Sequence, residues 1–188
     1  DAEQQAAVAD LARAVLESHL RHDGSVAAWH AAHPDFAPTR AHAGAFVTLH
    51  HRGLAAGAPG RLRACMGLIE ASQPLGDAVA QAAQWAARDP RFPPLAGDEL
   101  AGLEVEVSVL SPPRPVPGPE AIVVGTHGVI LAKGGARAVF LPQVATEQGW
   151  DRETMLRQLA RKAGLAADAW RQGARFEVFT AQVCGEGH

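Results

Sequence analysis

The most constraining feature of this sequence is the alternation of apolar and polar side chains from Leu103 to Leu110. Successive side chains of a β-strand point to opposite faces, so this stretch predicts a strand with one buried face. If the polar face lines a cleft, Glu106 is a candidate acid, base or partner of an arginine, whereas an exposed face explains the glutamates equally well. The apolar face comprises Leu103, Val105, Val107 and Val109, and the polar face comprises Glu104, Glu106 and Ser108.

A second strand is predicted within Gly60–Ile69, an apolar run that also holds a cysteine and two arginines. Buried arginines are costly without partners, so this mixture predicts two unlike faces. Alternation places Leu62, Ala64, Met66 and Leu68 towards the core. It places Arg63 beside Cys65, where a cation would favour the nucleophilic thiolate. The alternative is a small buried cysteine next to an arginine in a surface ion pair.

A third strand is predicted at Ala45–His51, and a wide hairpin is expected to pair it with the strand that contains Cys65. In that pairing His50 or His51 could face Cys65, which is the usual arrangement for activating a thiol nucleophile. A half-exposed histidine at a strand end is the alternative, and the sequence leaves both open.

Two proline-rich stretches interrupt the regular elements. Residues 89–94 read Asp-Pro-Arg-Phe-Pro-Pro and predict a rigid loop that carries Asp89 and Arg91 as candidate binding groups. The alternative is a structural connector with a local Asp–Arg pair. Residues 111–119 contain five prolines and predict a stiff connector between two possible lobes.

The remaining periodicity predicts helices and further strands, which together indicate an α+β fold with a mixed or antiparallel sheet flanked by helices. Helices are predicted at 2–22, 26–32, from Pro74 to about Arg88 with a cap at Ser72 or Gln73, from Asp151 as N-cap to a stop at Gly164, and around 167–172. Strands or extended pieces are predicted at 121–124, 129–132, 136–141 and 176–183, and 97–103 is expected to form a short helical turn.

Composition restricts the function classes. The net charge of −3 gives no basic footprint for nucleic acid, and no apolar run is long enough to span a membrane. Cys65 and Cys184 are far apart and form no CxxC motif, so a reduced cytoplasmic protein without a disulfide scaffold is expected. His19 and His22 lie one turn apart, but a solvated helix end explains them, and we predict neither a metal site nor a cofactor.

Five short phrases follow one another along the chain: Phe46-Val47-Thr48-Leu49, Leu62–Gly67, Asp89–Leu95, Val105–Leu110 and Phe140-Leu141-Pro142-Gln143-Val144. Their order and spacing resemble the AMMECR domain family, known in bacteria as protein A of the AmmeMemoRadiSam system. The family hallmark reads Leu-Arg-Gly-Cys-Ile-Gly, whereas residues 62–67 read Leu-Arg-Ala-Cys-Met-Gly. Replacement of the hallmark glycine by Ala64 favours a regular strand over a strained turn.

The resemblance implies a larger and a smaller lobe with a cleft that the hallmark segment lines, and it implies Memo-type and radical SAM proteins as partners. We therefore expect a cysteine-dependent transferase or hydrolase that acts on a small-molecule or peptide substrate. A non-catalytic adaptor that presents a substrate to those partners is the alternative. The expected catalytic residues are Cys65, Arg63, Glu106 and His50, and the expected substrate-binding residues are Asp89, Arg91, Gln143 and His127.

Overall fold

The computed structural model describes residues 2–21, 25–33 and 40–186. The chain divides into two compact units, the first formed by Asp1–Pro112 with Gln182–His188 and the second by Pro113–Ala181. Helices and two antiparallel sheets make this an α+β fold, as the sequence predicts. The predicted end of the first helix at His22, its stop at Asp23-Gly24, and the irregular segment around Pro34 and Pro38 lie outside the described residues.

The first unit is built on a four-stranded sheet with the order β2-β1-β3-β8. Strands β1 and β2 form the predicted antiparallel hairpin, and β1 also pairs with β3, so β1 is a central strand and β2 an edge strand. The four strands are β1 (Gly44–His51), β2 (Leu62–Leu68), β3 (Leu103–Leu110) and β8 (Ala181–Gly185).

In the described part of the first unit the α-helices are α1 (Ala2–Arg21), α2 (Ser25–Ala32) and α3 (Leu75–Ala86). Helix α1 packs against α2, α3 and β3, while α3 packs against β1 and β2. The alternating residues of β1 and β3 supply the sheet side of the core, and the buried face of α3 is largely alanine, which lets the helix approach the sheet closely. The opposite face of the sheet carries the polar members of the alternation, including Thr48 and Glu106.

The second unit contains a four-stranded sheet with the order β4-β7-β5-β6, two helices, and its own hydrophobic core. The hairpin of β5 and β6 turns through Gly134 and Gly135, which both have positive φ angles that glycine adopts without strain. The elements are β4 (Arg114–Val116), β5 (Gly128–Lys133), β6 (Ala136–Phe140), α4 (Pro142–Glu147), α5 (Arg152–Lys162) and β7 (Arg175–Phe179).

Several sequence-based boundaries were wrong. The run 176–183 is not one strand, because its two halves, β7 and β8, belong to different sheets. Part of the connector at 111–119 is strand β4, and α4 was not predicted. Residues 121–124 form no strand, although Ile122 has extended backbone angles. Helix α3 has Pro74 at its N-cap position with no side-chain cap, instead of a cap from Ser72 or Gln73.

Candidate active site around Cys65

Cys65 lies on the edge strand β2 directly opposite Thr48 of β1. The backbone N–H and C=O of Cys65 bond to side chains on the outer side of β2, so they do not bond to β1. The two residues therefore form a non-hydrogen-bonded pair of the antiparallel ladder, in which side chains approach most closely. Consistent with this, the Thr48 hydroxyl donates a hydrogen bond to the Cys65 Sγ over 3.4 Å. The thiol is half-buried, and the protein has no disulfide at this position.

The loop that begins at Asp89 covers the outer edge of β2 beside Cys65. The Asp89 Oδ2 accepts the backbone N–H of Cys65 at 3.0 Å, and Arg91 Nη2 donates to the Cys65 carbonyl oxygen at 3.0 Å. Arg91 also binds Asp89 through its backbone N–H, its Nε and its Nη2, the last at 2.6 Å. The carboxylate is fully buried, while the Arg91 side chain remains 54% exposed. One side of the guanidinium is thus fixed against the strand, and the rest faces solvent.

These contacts set the charge states of the loop residues. Burial acts to raise the pKa of Asp89, but the hydrogen bonds from Arg91 and from the Cys65 backbone outweigh it, so this pKa lies below its usual value. The hydrogen bond to Asp89 raises the pKa of the Arg91 guanidinium against the effect of burial, and the electrostatic interactions with Asp89 and Cys65 add to the rise. Arg91 is therefore a permanent cation that interacts electrostatically with Cys65.

Arg63, which strand alternation predicts to lie beside the thiol, instead binds groups of the segment before β3. Its Nε and Nη2 bind the two carboxylate oxygens of Glu99 at 2.8 and 3.2 Å, and Nη2 also binds the Pro93 carbonyl at 3.1 Å. The hydrogen bond from Arg63 lowers the pKa of Glu99. Arg63 is only 7% exposed, so its role is to tie β2 to the segment before β3. The guanidinium that interacts with Cys65 is that of Arg91.

A β-bulge explains why simple alternation misplaced this part of β2. Leu49 pairs with Ala64, but the next residue, His50, pairs with Leu62, so Arg63 has no partner in the ladder. A bulge re-aims side chains and reverses the alternation beyond it. Leu62, predicted to face the core, therefore lies opposite His50 and is 36% exposed.

His50 does not occupy the position opposite Cys65, which belongs to Thr48. It is 7% exposed and lies between Leu62 on β2 and Glu104 on β3. Burial lowers the pKa of His50, the nearby Arg61 charge lowers it further, and Glu104 partly opposes these effects. The lowered pKa favours the neutral imidazole of His50 at neutral pH. His50 lies on the same sheet face as Thr48, two residues further along β1.

Glu106 lies on β3 directly opposite Thr48, on the side away from Cys65. Because directly opposed residues share a sheet face, Cys65, Thr48 and Glu106 form one row across three strands.

The second cysteine, Cys184, is part of the hydrophobic core. Burial raises the pKa of its thiol, and the negative charge of Glu106 adds to this effect. Cys184 therefore has the environment of an unreactive thiol.

Next to this row, the neighbouring pair on the same face of β1 and β2 makes a close contact. A Cβ atom on Gly67 would overlap the side chain and backbone of Phe46, which lies opposite it in the ladder. Only glycine lets the Phe46 ring lie against the strand here, two residues from Cys65. The glycine that ends the hallmark segment thus has a steric function.

The other two expected substrate-binding residues belong to the second unit. The backbone N–H of Val123 donates to the His127 Nδ1 at 3.1 Å, and the Gln143 carbonyl accepts the Thr146 hydroxyl at the start of α4. Their assignment to substrate binding stays a prediction.

Across the described ranges, no three His, Cys, Asp or Glu side chains are grouped so that they could hold a metal ion. None of the described helices has the length and apolar character to cross a membrane.

Comparisons with known proteins agree on one family. The AMMECR1 family model matches residues 9–184. A protein of Methanothermobacter thermautotrophicus is 42% identical over 94% of this chain and 91% of its own length, and protein TK0174 of Thermococcus kodakarensis is 39% identical over 94% and 87%. The crystal structure of the uncharacterized protein PH0010 from Pyrococcus horikoshii superposes with a TM-score of 0.87, at 34% identity, over 97% of this chain and 91% of that one.

Proposed function

The chain belongs to the AMMECR1 family, and we propose that it is a cysteine-dependent enzyme, a transferase or hydrolase in which the Cys65 thiol is the nucleophile. The observation that supports this proposal is the set of contacts around the sulfur. A half-buried thiol receives a hydrogen bond from Thr48 and interacts with the charge of Arg91, which Asp89 holds in place. A hydrogen-bond donor and a fixed cation both favour the thiolate, which is the nucleophilic form of cysteine.

In the proposed reaction the Cys65 thiol first loses its proton to solvent, because Glu106 in the same row lies two strands away with Thr48 between them. The sulfur then forms a bond to an electrophilic carbon of the substrate, and the bond from that carbon to the leaving group breaks. The leaving group takes the electron pair and picks up a proton from solvent. Water or an acceptor molecule next attacks the same carbon and gives up its proton to solvent, while the carbon–sulfur bond breaks and the sulfur takes the electron pair as the thiolate. The exposed side of Arg91 is suited to bind an anionic group of the substrate.

The proposal includes the setting that the family resemblance implies. The reaction requires a reduced thiol, and neither cysteine forms a disulfide, which fits a reducing cytoplasm. Memo-type and radical SAM proteins are the proposed partners, and a small molecule or peptide is the proposed substrate. An adaptor without catalytic activity is the alternative, because Arg91 could serve recognition alone.

Alkylation kinetics test the proposal. In a Cys184→Ser protein, the rate of iodoacetamide labelling is measured by intact mass from pH 5 to 10. We expect half-maximal rate at least one pH unit below the ~8.5 of an ordinary thiol. Arg91→Gln should move this midpoint upward and Arg91→Lys should move it less, while Arg88→Gln, a matched loss of an exposed arginine, should leave it unchanged.

Two results decide between the enzyme and the adaptor. A labelling midpoint at or above about pH 8.5 without further substitution would show that Cys65 is not an activated nucleophile. Wild-type function of Cys65→Ser in cells would show the same. If Cys65→Ser still captures Memo-type or radical SAM proteins in a pull-down and supports growth like the wild type, the adaptor is the better account. If Cys65→Ser captures the partners but does not support growth, the result supports the enzyme.

A further inference from the structure

Thr48 is a buried polar residue in an otherwise apolar stretch of the central strand β1. It is 5% exposed, and its neighbours Val47 and Leu49 are fully buried in the core on the other face. Burying a hydroxyl costs free energy unless it makes a hydrogen bond, and valine has almost the same shape without that cost. The hydrogen bond that the hydroxyl makes is to the Cys65 sulfur, at 3.4 Å.

The geometry fixes this hydroxyl beside the sulfur. Thr48 and Cys65 form a non-hydrogen-bonded ladder pair, in which the side chains are closest. A β-branched side chain has few accessible χ1 rotamers in a strand, so the hydroxyl is held in position before any substrate binds. Such a preorganised donor is typical of sites where charge develops on a reacting atom.

We propose that Thr48 is a further catalytic residue, whose hydroxyl donates a hydrogen bond to the Cys65 sulfur when that sulfur is the anionic nucleophile. This inference rests on the proposed function. A hydroxyl has one proton to donate, and a hydrogen bond to an anion is stronger than one to a neutral group. The bond therefore stabilises the thiolate that attacks the substrate, and it stabilises the same thiolate again when the second step releases it.

Charged and titratable groups around this pair come from three elements. Asp89 and Arg91 face Cys65 from the loop at the edge of β2, Glu106 lies on β3, and His50 lies on β1. Substitution of Thr48 changes none of them. A change in the pH dependence of Cys65 after such a substitution therefore reports the hydroxyl itself.

The test uses iodoacetamide labelling of the Cys184→Ser protein across pH, with Thr48→Val, Thr48→Ser and Ser108→Ala. We expect Thr48→Val to raise the labelling midpoint by about one pH unit, with about tenfold slower labelling at pH 6, because the bond to the anion is lost. Thr48→Ser keeps the hydroxyl and should restore the midpoint. Ser108 carries a buried hydroxyl that makes no hydrogen bond to any residue the structure describes, so Ser108→Ala is the control and should cause no shift.

The outcomes separate this inference from the proposed function. A low wild-type midpoint that Thr48→Val leaves unchanged refutes the role of Thr48 and leaves the nucleophile intact. An ordinary wild-type midpoint refutes the proposed function, and with it the catalytic role of Thr48, even if Thr48→Val raises the midpoint further. Circular dichroism melting curves verify that each variant is folded.

Discussion

The buried carboxylate of Asp89 offers the sharpest test of how the site is held together. Asp89→Asn keeps the size of the side chain but removes the charge that accepts four hydrogen bonds, one from Cys65 and three from Arg91. The amide can present only one oxygen to these donors, and its NH2 group would face them with protons.

The expected loss of unfolding free energy depends on which groups lose their hydrogen-bond partners. A hydrogen bond to a charged group contributes about 1.5–3 kcal/mol, and breaking a buried ion pair costs about 3–5 kcal/mol. Arg91 is half exposed and regains hydration, so the full cost of the pair does not apply. The backbone N–H of Cys65 cannot regain hydration as easily. We therefore expect Asp89→Asn to destabilise the first unit by about 2–3 kcal/mol.

Two measurements check this value. Urea unfolding of the first unit at pH 7 gives the change in free energy of unfolding, with the exposed Asp98→Asn as a matched control that should change it by less than about 0.5 kcal/mol. Hydrogen exchange of the Cys65 amide should accelerate in Asp89→Asn, because that amide donates directly to Asp89.

The lowered pKa of Asp89 determines how the stability difference between wild type and Asp89→Asn changes with pH. The folded state lowers the pKa of Asp89, so its contribution to stability is present above the unfolded pKa of about 3.9 and is lost as pH falls through the folded value. The stability gap between wild type and Asp89→Asn should thus be constant near neutrality and close in acid, below about pH 4. A gap under about 0.5 kcal/mol at pH 7, or one that widens in acid, would show that the charge of Asp89 does not stabilise the folded state.

Three further predictions concern single contacts. Gly67→Ala should lower the unfolding free energy by about 1–3 kcal/mol in urea titrations, because the new methyl group overlaps Phe46; an unchanged value would contradict the close contact. Glu99→Gln should cost about 1 kcal/mol at pH 7, since Arg63 loses the charge of its half-exposed partner, and equal stability of variant and wild type would argue against it. Asp151→Ala removes the N-cap of α5 and should lower the melting temperature of the second unit in thermal melts, and an unchanged melting temperature would show that the cap is dispensable.

Sequence patterns predicted β3 correctly from Leu103 to Leu110 because its alternation is uninterrupted and one face meets a continuous core. The same reasoning predicted that Asp151 caps α5, which its hydrogen bond to the Thr154 backbone N–H confirms. Such features depend on neighbouring residues alone, and the sequence shows them directly.

The site was harder to predict because it depends on pairing between distant segments. The bulge at Arg63 reversed the expected orientation of Leu62, and no local signal marks it. Thr48 was missed as a neighbour of Cys65, although the predicted hairpin contained both, because the register was not known. The contact between Arg91 and Cys65 joins a loop to a strand edge, so it becomes visible only in three dimensions.

The central claim is that Cys65 is a reactive thiol and that its environment makes it so. The most direct measurement is the ratio of labelling rates of Cys65 and Cys184 in the folded wild-type protein at pH 7, read from peptides after digestion and compared with labelling in urea. The account predicts that Cys65 reacts faster than in the unfolded chain and that Cys184, buried in the core, reacts much more slowly. Folding that slows the labelling of Cys65 as well would contradict it.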